Sequence, residues 1–457
     1  MVLALPLRPG IGYMSGINGE NIMGKILKLA GIGCGGRTLT YFQLAARQPH
    51  RYQVVAAADP NPVRVEKARR LAQNPNFKGF ASDADLLAQP KLADIMIIGT
   101  QDNYHVQPCL GALERGYDVL LEKPVATNLA DVLKLEQEVA QSGRKVMVCH
   151  VLRFTAFYRK VKELLDSGLI GELVALDAHE GVGAFHQTHS YVRGHWSVTE
   201  KASPMIIAKC CHDMDILSWL VGRPCRKVAS FGELRHFTKA NAPAGATARC
   251  SDGCPHLERC PYNAYQYYTH HRNSWLSYIH DKADTVTFAD FEEWLRTSPW
   301  GRCVYHCDNT AVDRQTVMLG FDGGVSATFT MTAFDHGRGL VLRGTKGRLV
   351  GGDTARSLSG HDITVDDFAT GNRTHYDVNM ASGGYEGHGG GDAGLMNALY
   401  GEMTKENPAD LLTSIHQSTA SHVLGFAAEE ARLTGSVVDL DAFYQQHNAA
   451  TERGVHR

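Results

Sequence analysis

The sequence predicts an α/β protein in two parts: a doubly wound parallel sheet first, then an α+β domain with an open, mainly antiparallel sheet. Three observations predict it. Short apolar runs alternate with helix-like segments through about residue 149, with short connections between them. A glycine-rich turn, Gly31-Ile32-Gly33-Cys34-Gly35-Gly36, follows the first apolar run and opens the first helical pattern. Further on, Val325, Ala327, Phe329 and Met331 alternate with Ser326, Thr328 and Thr330, which is the period of a half-buried antiparallel strand.

Taken in order, residues 26–32 read as a buried strand and 38–47 as a helix. Residues 52–58 form a second apolar run ending at Asp59, followed by a helical stretch over 64–73. Residues 95–98 and 119–121 are the third and fourth strands, 129–142 a helix and 146–149 the fifth strand. Beyond residue 150 the pattern changes. Residues 173–179 are strand-like, and 208–220 are helical with Met214, Leu217 and Leu220 on one side. Residues 241–307 are rich in Cys, Tyr and His and weakly periodic, which marks an insertion. Strands with glycine turns fill 314–350, and 411–433 reads as a closing helix. The expected division is therefore a disordered extension over 1–22, a dinucleotide-binding domain over 23–149, a substrate domain over 150–440 and a tail over 441–457. Met23 is an alternative start.

Composition excludes several classes of partner. The 457 residues carry 46 Lys and Arg against 48 Asp and Glu. A net charge of −2 gives no electrostatic footprint for nucleic acid or an anionic membrane. No apolar run is long enough to span a bilayer. The first 22 residues lack the basic start and apolar stretch of an export signal. Eleven cysteines without such a signal point to a reducing, cytoplasmic setting.

In a dinucleotide fold the first glycine permits the tight turn, the second admits the pyrophosphate and the third packs helix on strand. Gly31, Gly33 and Gly36 hold these positions. Asp59 ends the second strand, where a carboxylate accepts from the adenosine ribose diol, and this favours NAD over NADP. Arg37 and Arg64 are nearby cations able to meet a phosphate. Thr100, Asp102 and His105 follow the third strand at the carboxyl edge, where open α/β sheets bind ligands. Glu122-Lys123-Pro124 directly follows the fourth strand.

The glycine turn followed by Leu121-Glu122-Lys123-Pro124 resembles the Gfo/Idh/MocA oxidoreductase family, over residues 25–440. The resemblance implies a Rossmann domain, NAD as cofactor, Glu122 against the nicotinamide ribose and Lys123 on the reacting hydroxyl. It also implies a homo-oligomer formed through the second domain's sheet. Lys209-Cys210-Cys211-His212-Asp213-Met214-Asp215 matches the family's histidine tract at His212 and Asp215. The family's upstream Asp is Ala208 here, and Lys209 stands three residues before His212. On one continuous helix these two share a face, so Lys209 is expected to help keep His212 a neutral base. The implied activity is hydride transfer between NAD and a sugar, cyclitol or glycoside hydroxyl. The alternatives are an NAD-dependent glycosidase, which has a similar Gly-His-Gly-Gly run to that at 387–390, and a non-catalytic NAD-binding sensor.

Arg153, Glu180, Arg193, His195, Trp196 and His388 are the candidate substrate contacts, a mixture of polar groups and a ring face suited to carbohydrate. Four cations assigned to one cleft, Arg153, Arg193, Lys123 and Lys209, suggest an anionic substituent on the substrate. Cys250, Cys254 and Cys260, with Cys307 or Cys303 from a second loop, could ligate a structural zinc.

Overall fold

The computed structural model describes residues 25–270, 275–276, 279–280, 286–378 and 388–455. The expected extension, Met23 and Gly387 lie outside them. The first sheet contains β1 (Leu27–Ile32), β2 (Tyr52–Ala58), β3 (Lys78–Phe80), β4 (Ile95–Ile98), β5 (Asp118–Leu121) and β6 (Val146–Val148). Its order is β3-β2-β1-β4-β5-β6, and every pair is parallel. The order reverses between β1 and β4, which opens a crevice at their carboxyl ends. β3 was not expected: Lys-Gly-Phe is short and largely exposed, so neither apolar content nor alternation announces it.

The second sheet contains β7 (Leu173–Val182), β8 (Cys225–Glu233), β9 (Arg314–Phe321), β10 (Ser326–Thr332), β11 (His336–Gly344), β12 (Gly347–Gly352), β13 (Ile363–Asp367), β14 (Arg373–Tyr376) and β15 (Val438–Asp439). The order is β14-β13-β12-β11-β7-β10-β9-β8-β15. Only β7 and β10 pair in parallel. One face packs against helices through Leu176, Val317, Leu319, Phe329, Leu340 and Leu342.

Three findings revise the expected boundaries. The helix Gly391–Thr404 returns to the first domain: Leu395, Met396 and Leu399 join Tyr41, Phe42 and Ile97 in one core, and Tyr52 donates to the Met396 carbonyl at 2.9 Å. Residues 441–455 are no loose tail, because the helix Leu440–Val455 buries Leu440 and Phe443 in the core of the second domain. The helix expected over 208–220 is broken at residues 209–210, giving Met205–Ala208 and Cys211–Val221. The insertion has small cores of its own, one around Tyr268, Leu295 and Trp300 and one around Phe237, Tyr262 and Tyr305. No helix of the described residues is long and apolar enough to cross a membrane.

Candidate active site

The carboxyl edge of the first sheet has the shape a dinucleotide needs. Gly33 has φ +82°, and a Cβ there would lie 2.7 Å from the Thr100 nitrogen and 2.8 Å from the Gly99 carbonyl. The β1 turn can therefore pass over the end of β4 only as glycine. Gly31 lets helix Gly36–Ala46 close in, since its Cβ would lie 2.8 Å from Phe42 Cζ. The helix begins at Gly36 behind Gly35, with no side-chain cap, so its first-turn N–H groups face the crevice as an anion site. Asp59 accepts from the Cys34 N–H at 2.7 Å through Oδ2 and from the Asn61 N–H at 2.8 Å through Oδ1. These bonds orient the carboxylate and leave each oxygen a further lone pair. The residues present thus fit NAD.

The charged groups behind the crevice are consumed by one another. Arg37 donates through Nη1 and Nη2 to Asp392 at 2.9 and 2.6 Å, through Nε to Glu122 at 2.9 Å, and through Nη2 to the Tyr41 hydroxyl at 2.6 Å. Tyr41 in turn donates to Glu122 at 2.6 Å. Arg37 therefore departs from its expected place on the cofactor: its fork ties the helix Gly391–Thr404 to the end of β5. Burial pushes the Glu122 and Asp392 carboxyls up, but Arg37 more than reverses this, so both lie below the usual carboxylate range. Glu122 keeps its position at the mouth through Oε2, which accepts from the Lys123 N–H at 3.1 Å.

His105 also departs from the expected cofactor contact. Its ring is buried, with Nδ1 2.7 Å from the Pro124 carbonyl and Nε2 3.3 Å from the Thr100 carbonyl, so it braces the loop carrying Lys123. Asp102 accepts from Trp196 Nε1 at 2.7 Å, which docks the second domain on the first. The Thr100 hydroxyl donates to the Tyr104 carbonyl at 2.9 Å, while its backbone underlies Gly33.

Lys123, joined to Pro124 by a cis peptide bond, reaches across and donates from Nζ to the Ala208 carbonyl at 3.0 Å. The backbone at the position of the missing Asp thus receives the lysine. His212, four residues on, is 2 % exposed and its Nδ1 has no partner among the described residues. Burial, then Lys123, His388 and His150, push its pKa well below the ordinary value. Lys209, expected to favour the neutral form, is not among these causes. The break at residues 209–210 turns Lys209 away, and it pairs with Glu180 at 3.3 Å.

Of the histidines around His212, sequence reasoning named His388 but missed His150 and His422. The His150 ring stands 6.0 Å from that of His212 and the His388 ring 5.6 Å; the His422 ring lies 5.9 Å beyond His150. His150 follows β6 with both nitrogens buried and without a hydrogen bond among the described residues, Nδ1 lying 3.9 Å from Asp215. Its position after a buried strand was the available signal. His422 accepts from the Val125 N–H at 3.0 Å and donates from Nδ1 to the Ser418 carbonyl.

The substrate candidates divide. Arg153 grips Asp215 through Nε and Nη2, both at 2.7 Å, and donates to the Leu412 carbonyl and Gln417, so it holds helix Cys211–Val221 and clamps no ligand. Glu180 lies 2.7 Å from Arg338, which also meets Asp213 at 2.8 Å. Arg338 was missed because a lone arginine in an alternating strand reads as solvent-facing. Arg193 faces the cysteine-rich insertion, donating to the Arg302 and Tyr262 carbonyls. His195 is exposed, its ring 5.5 Å from that of Trp300. His388, with φ +58°, leans on Asp392 at 3.3 Å. The expected surplus of cations disappears: Arg153 and Lys209 have carboxylates, and Arg193 is elsewhere. The argument for an anionic substrate falls with it.

Cys250, Cys254, Cys260, Cys303 and Cys307 lie in the insertion, and all eleven cysteines are unpaired. As they stand, no group of three or more His, Cys, Asp or Glu among the described residues is placed to hold a metal ion.

With this geometry, comparison with known proteins is unambiguous. Residues 27–150 match the oxidoreductase family with an NAD-binding Rossmann fold, and 158–274 match the Gfo/Idh/MocA C-terminal domain. The chain belongs to the Gfo/Idh/MocA family and is an NAD-binding oxidoreductase. It is 24% identical over 436 residues to the oxidoreductase YteT of Bacillus subtilis, covering 91% of this chain and 98% of that protein. Inositol 2-dehydrogenase of Gluconacetobacter diazotrophicus is 29% identical over 196 residues, covering 42% of this chain and 53% of that one. The scyllo-inositol dehydrogenase of Lactobacillus casei, solved with NAD(H) and scyllo-inositol, superposes with a TM-score of 0.60 at 17% identity, over 91% of this chain and 100% of that chain.

Proposed function

We propose that the protein transfers a hydride between NAD and a secondary hydroxyl of a neutral polyol, a cyclitol or sugar. The carrying observation is Lys123 held at the Ala208 carbonyl beside the neutral, buried His212. Gly33, the first turn of helix Gly36–Ala46, Asp59 and Glu122 would hold the cofactor. When bound, NAD supplies the hydride acceptor or donor. Lys123 stabilises the charge that develops on the hydroxyl oxygen, and His212 takes or returns its proton. Pairing of Arg153 and Lys209 with carboxylates supports a neutral substrate, as does the inositol named for two relatives.

His388 against His212 favours a second reading, a redox-neutral glycosidase, in which a second imidazole serves the leaving group. The oligomer is proposed to form on the open face of the second sheet, where Phe231 and Met318 stand exposed among threonines. Unpaired cysteines throughout support a reducing, cytoplasmic location.

Incubation with NAD and a panel of cyclitols, sugars and aryl glycosides tests the reading. NADH absorbance should rise with a neutral polyol and no aglycone should appear. Aglycone release without net NADH selects the glycosidase. An absolute requirement for an anionic substrate removes the neutral-polyol assignment.

A further inference from the structure

The insertion contains a buried charge without a counter-charge. Arg193 is 3% exposed. It donates from Nε to the Arg302 carbonyl at 2.8 Å and from Nη2 to the Tyr262 carbonyl at 2.7 Å, both neutral acceptors. Its Nη1 is buried and has no partner among the described residues. An isolated guanidinium in such a place is costly unless an anion faces it. What faces it is a small cavity lined by Cys250, Cys254, Cys260 and Cys303 together with Arg193 itself.

The local backbone explains how thiols from two loops meet there. Residues 249 and 302 form an antiparallel bridge, with the Cys250 N–H on the Gly301 carbonyl at 3.0 Å and the Cys303 N–H on the Ala248 carbonyl at 2.9 Å. The bridge sets Cys250 beside Gly301 and Cys303 beside Ala248, and both thiols line the one cavity. Cys254 and Cys260 close the cavity from the following loop. Cys307 does not line it; its Sγ donates to the Cys303 carbonyl at 3.3 Å.

The geometry points to a structural zinc centre held by the thiolates of Cys250, Cys254, Cys260 and Cys303, with Arg193 as its buried counter-charge. Binding breaks four S–H bonds, forms four Zn–S bonds and releases four protons to solvent, with no change of oxidation state. Four thiolates around one divalent ion leave net negative charge, which Arg193 Nη1 meets by a hydrogen bond to sulfur. No group of three or more His, Cys, Asp or Glu side chains among the described residues is placed to hold a metal ion, so ligation by all four thiolates requires the two loops to draw together. A staple of this kind suits a segment whose two cores are small and separate from the main ones.

The test uses the full chain, purified without chelator or metal-affinity resin. Elemental analysis should find zinc at about one equivalent per chain, and a mercurial titration should consume about four thiols per zinc released, as expected for a four-thiolate site. Cys303→Ser should lose the zinc and Cys307→Ser should keep it; the reverse result overturns the ligand set. Arg193→Met should weaken zinc retention against a competing chelator by roughly tenfold, the usual scale for a lost partner of a ligand. A metal-free chain with all eleven thiols titrating overturns the proposal, as does iron with acid-labile sulfide. None of these readouts depends on the substrate or on turnover.

Discussion

Two neighbouring regions of the cleft both gather polar side chains and do opposite things. Behind the crevice, Arg37 uses its donors on Asp392, Tyr41 and Glu122 Oε1, as Arg153 does on Asp215, the Leu412 carbonyl and Gln417 and Arg338 on Asp213. At the front, Lys123 donates to the Ala208 carbonyl, and His212 and His150 carry ring nitrogens with no hydrogen-bond partner among the described residues. The difference teaches where ligands belong. A buried charge whose hydrogen bonds are complete is scaffold, whatever its proximity to the site; a buried polar group with capacity to spare is where substrate and cofactor complete the set.

The comparison breaks most visibly if the closed network is dispensable. Arg37→Gln leaves Asp392 and Glu122 as buried carboxylates without their cation, so the loss in unfolding free energy should be about 3–5 kcal/mol. Denaturant unfolding measures it. A loss under about 1 kcal/mol would put Arg37 among ordinary surface ion pairs and reopen it as a cofactor contact.

The open region should show the converse, a large kinetic effect on a stable protein. Lys123→Ala and His212→Ala should each lower turnover by about 10² or more, the scale of a lost acid–base or charge-stabilising group. NAD affinity should be retained in His212→Ala, measured by titration of the apo-protein. Normal turnover of His212→Ala on the best substrate would move the base to His150 or His388.

Which of these regions could be read from the sequence follows from the range of the signal. The turn at Gly31–Gly36, Asp59 and Glu122-Lys123-Pro124 are local patterns, and the structure brings them to one edge. The partners of Arg37, Arg153 and Lys209 come from residues 392, 215 and 180, and no local pattern reports a contact across that separation. Cations read one at a time therefore looked like a surplus. The helix Gly391–Thr404 escaped assignment to the first domain for the same reason. The break at residues 209–210 interrupts an apolar run whose periodicity continues through it.

Acid sharpens the contrast between neutral and charged members of the site. Burial lowers the pKa of His150, His186, His212, His388 and His422, the last to about 3. Each binds a proton in the unfolded chain near pH 6.5 but not in the folded one, so stability is complete above that pH and falls below it. The slope is up to about 1.4 kcal/mol per pH unit for each such histidine. His416, raised by Glu136, opposes with the other sign, and Glu122 and Asp392 lose their stabilising contribution only as pH falls below the ordinary carboxylate range. Melting temperatures at pH 7.5, 6 and 5 should fall in that order. A flat profile would mean that these rings are hydrated and that the pocket behind His212 is wet.

The smallest expected effect is cofactor choice, and it depends on Asp59. Its two oxygens are oriented by the Cys34 and Asn61 N–H groups, so the carboxylate cannot swing away from a 2′-substituent on the adenosine ribose. A 2′-phosphate there meets a like charge a few ångströms off, a repulsion of about 1 kcal/mol at the solvated edge and more where water is excluded. Arg37 cannot relieve it, because its fork is held by Asp392 and Glu122. NAD should therefore bind several-fold tighter than NADP in parallel titrations. Asp59→Asn removes the charge, and the preference should narrow chiefly through tighter NADP binding, while loss of a ribose acceptor weakens NAD. If wild type prefers NADP, Arg64 at the start of the following helix becomes the phosphate's partner, and Asp59 serves only the two backbone N–H groups.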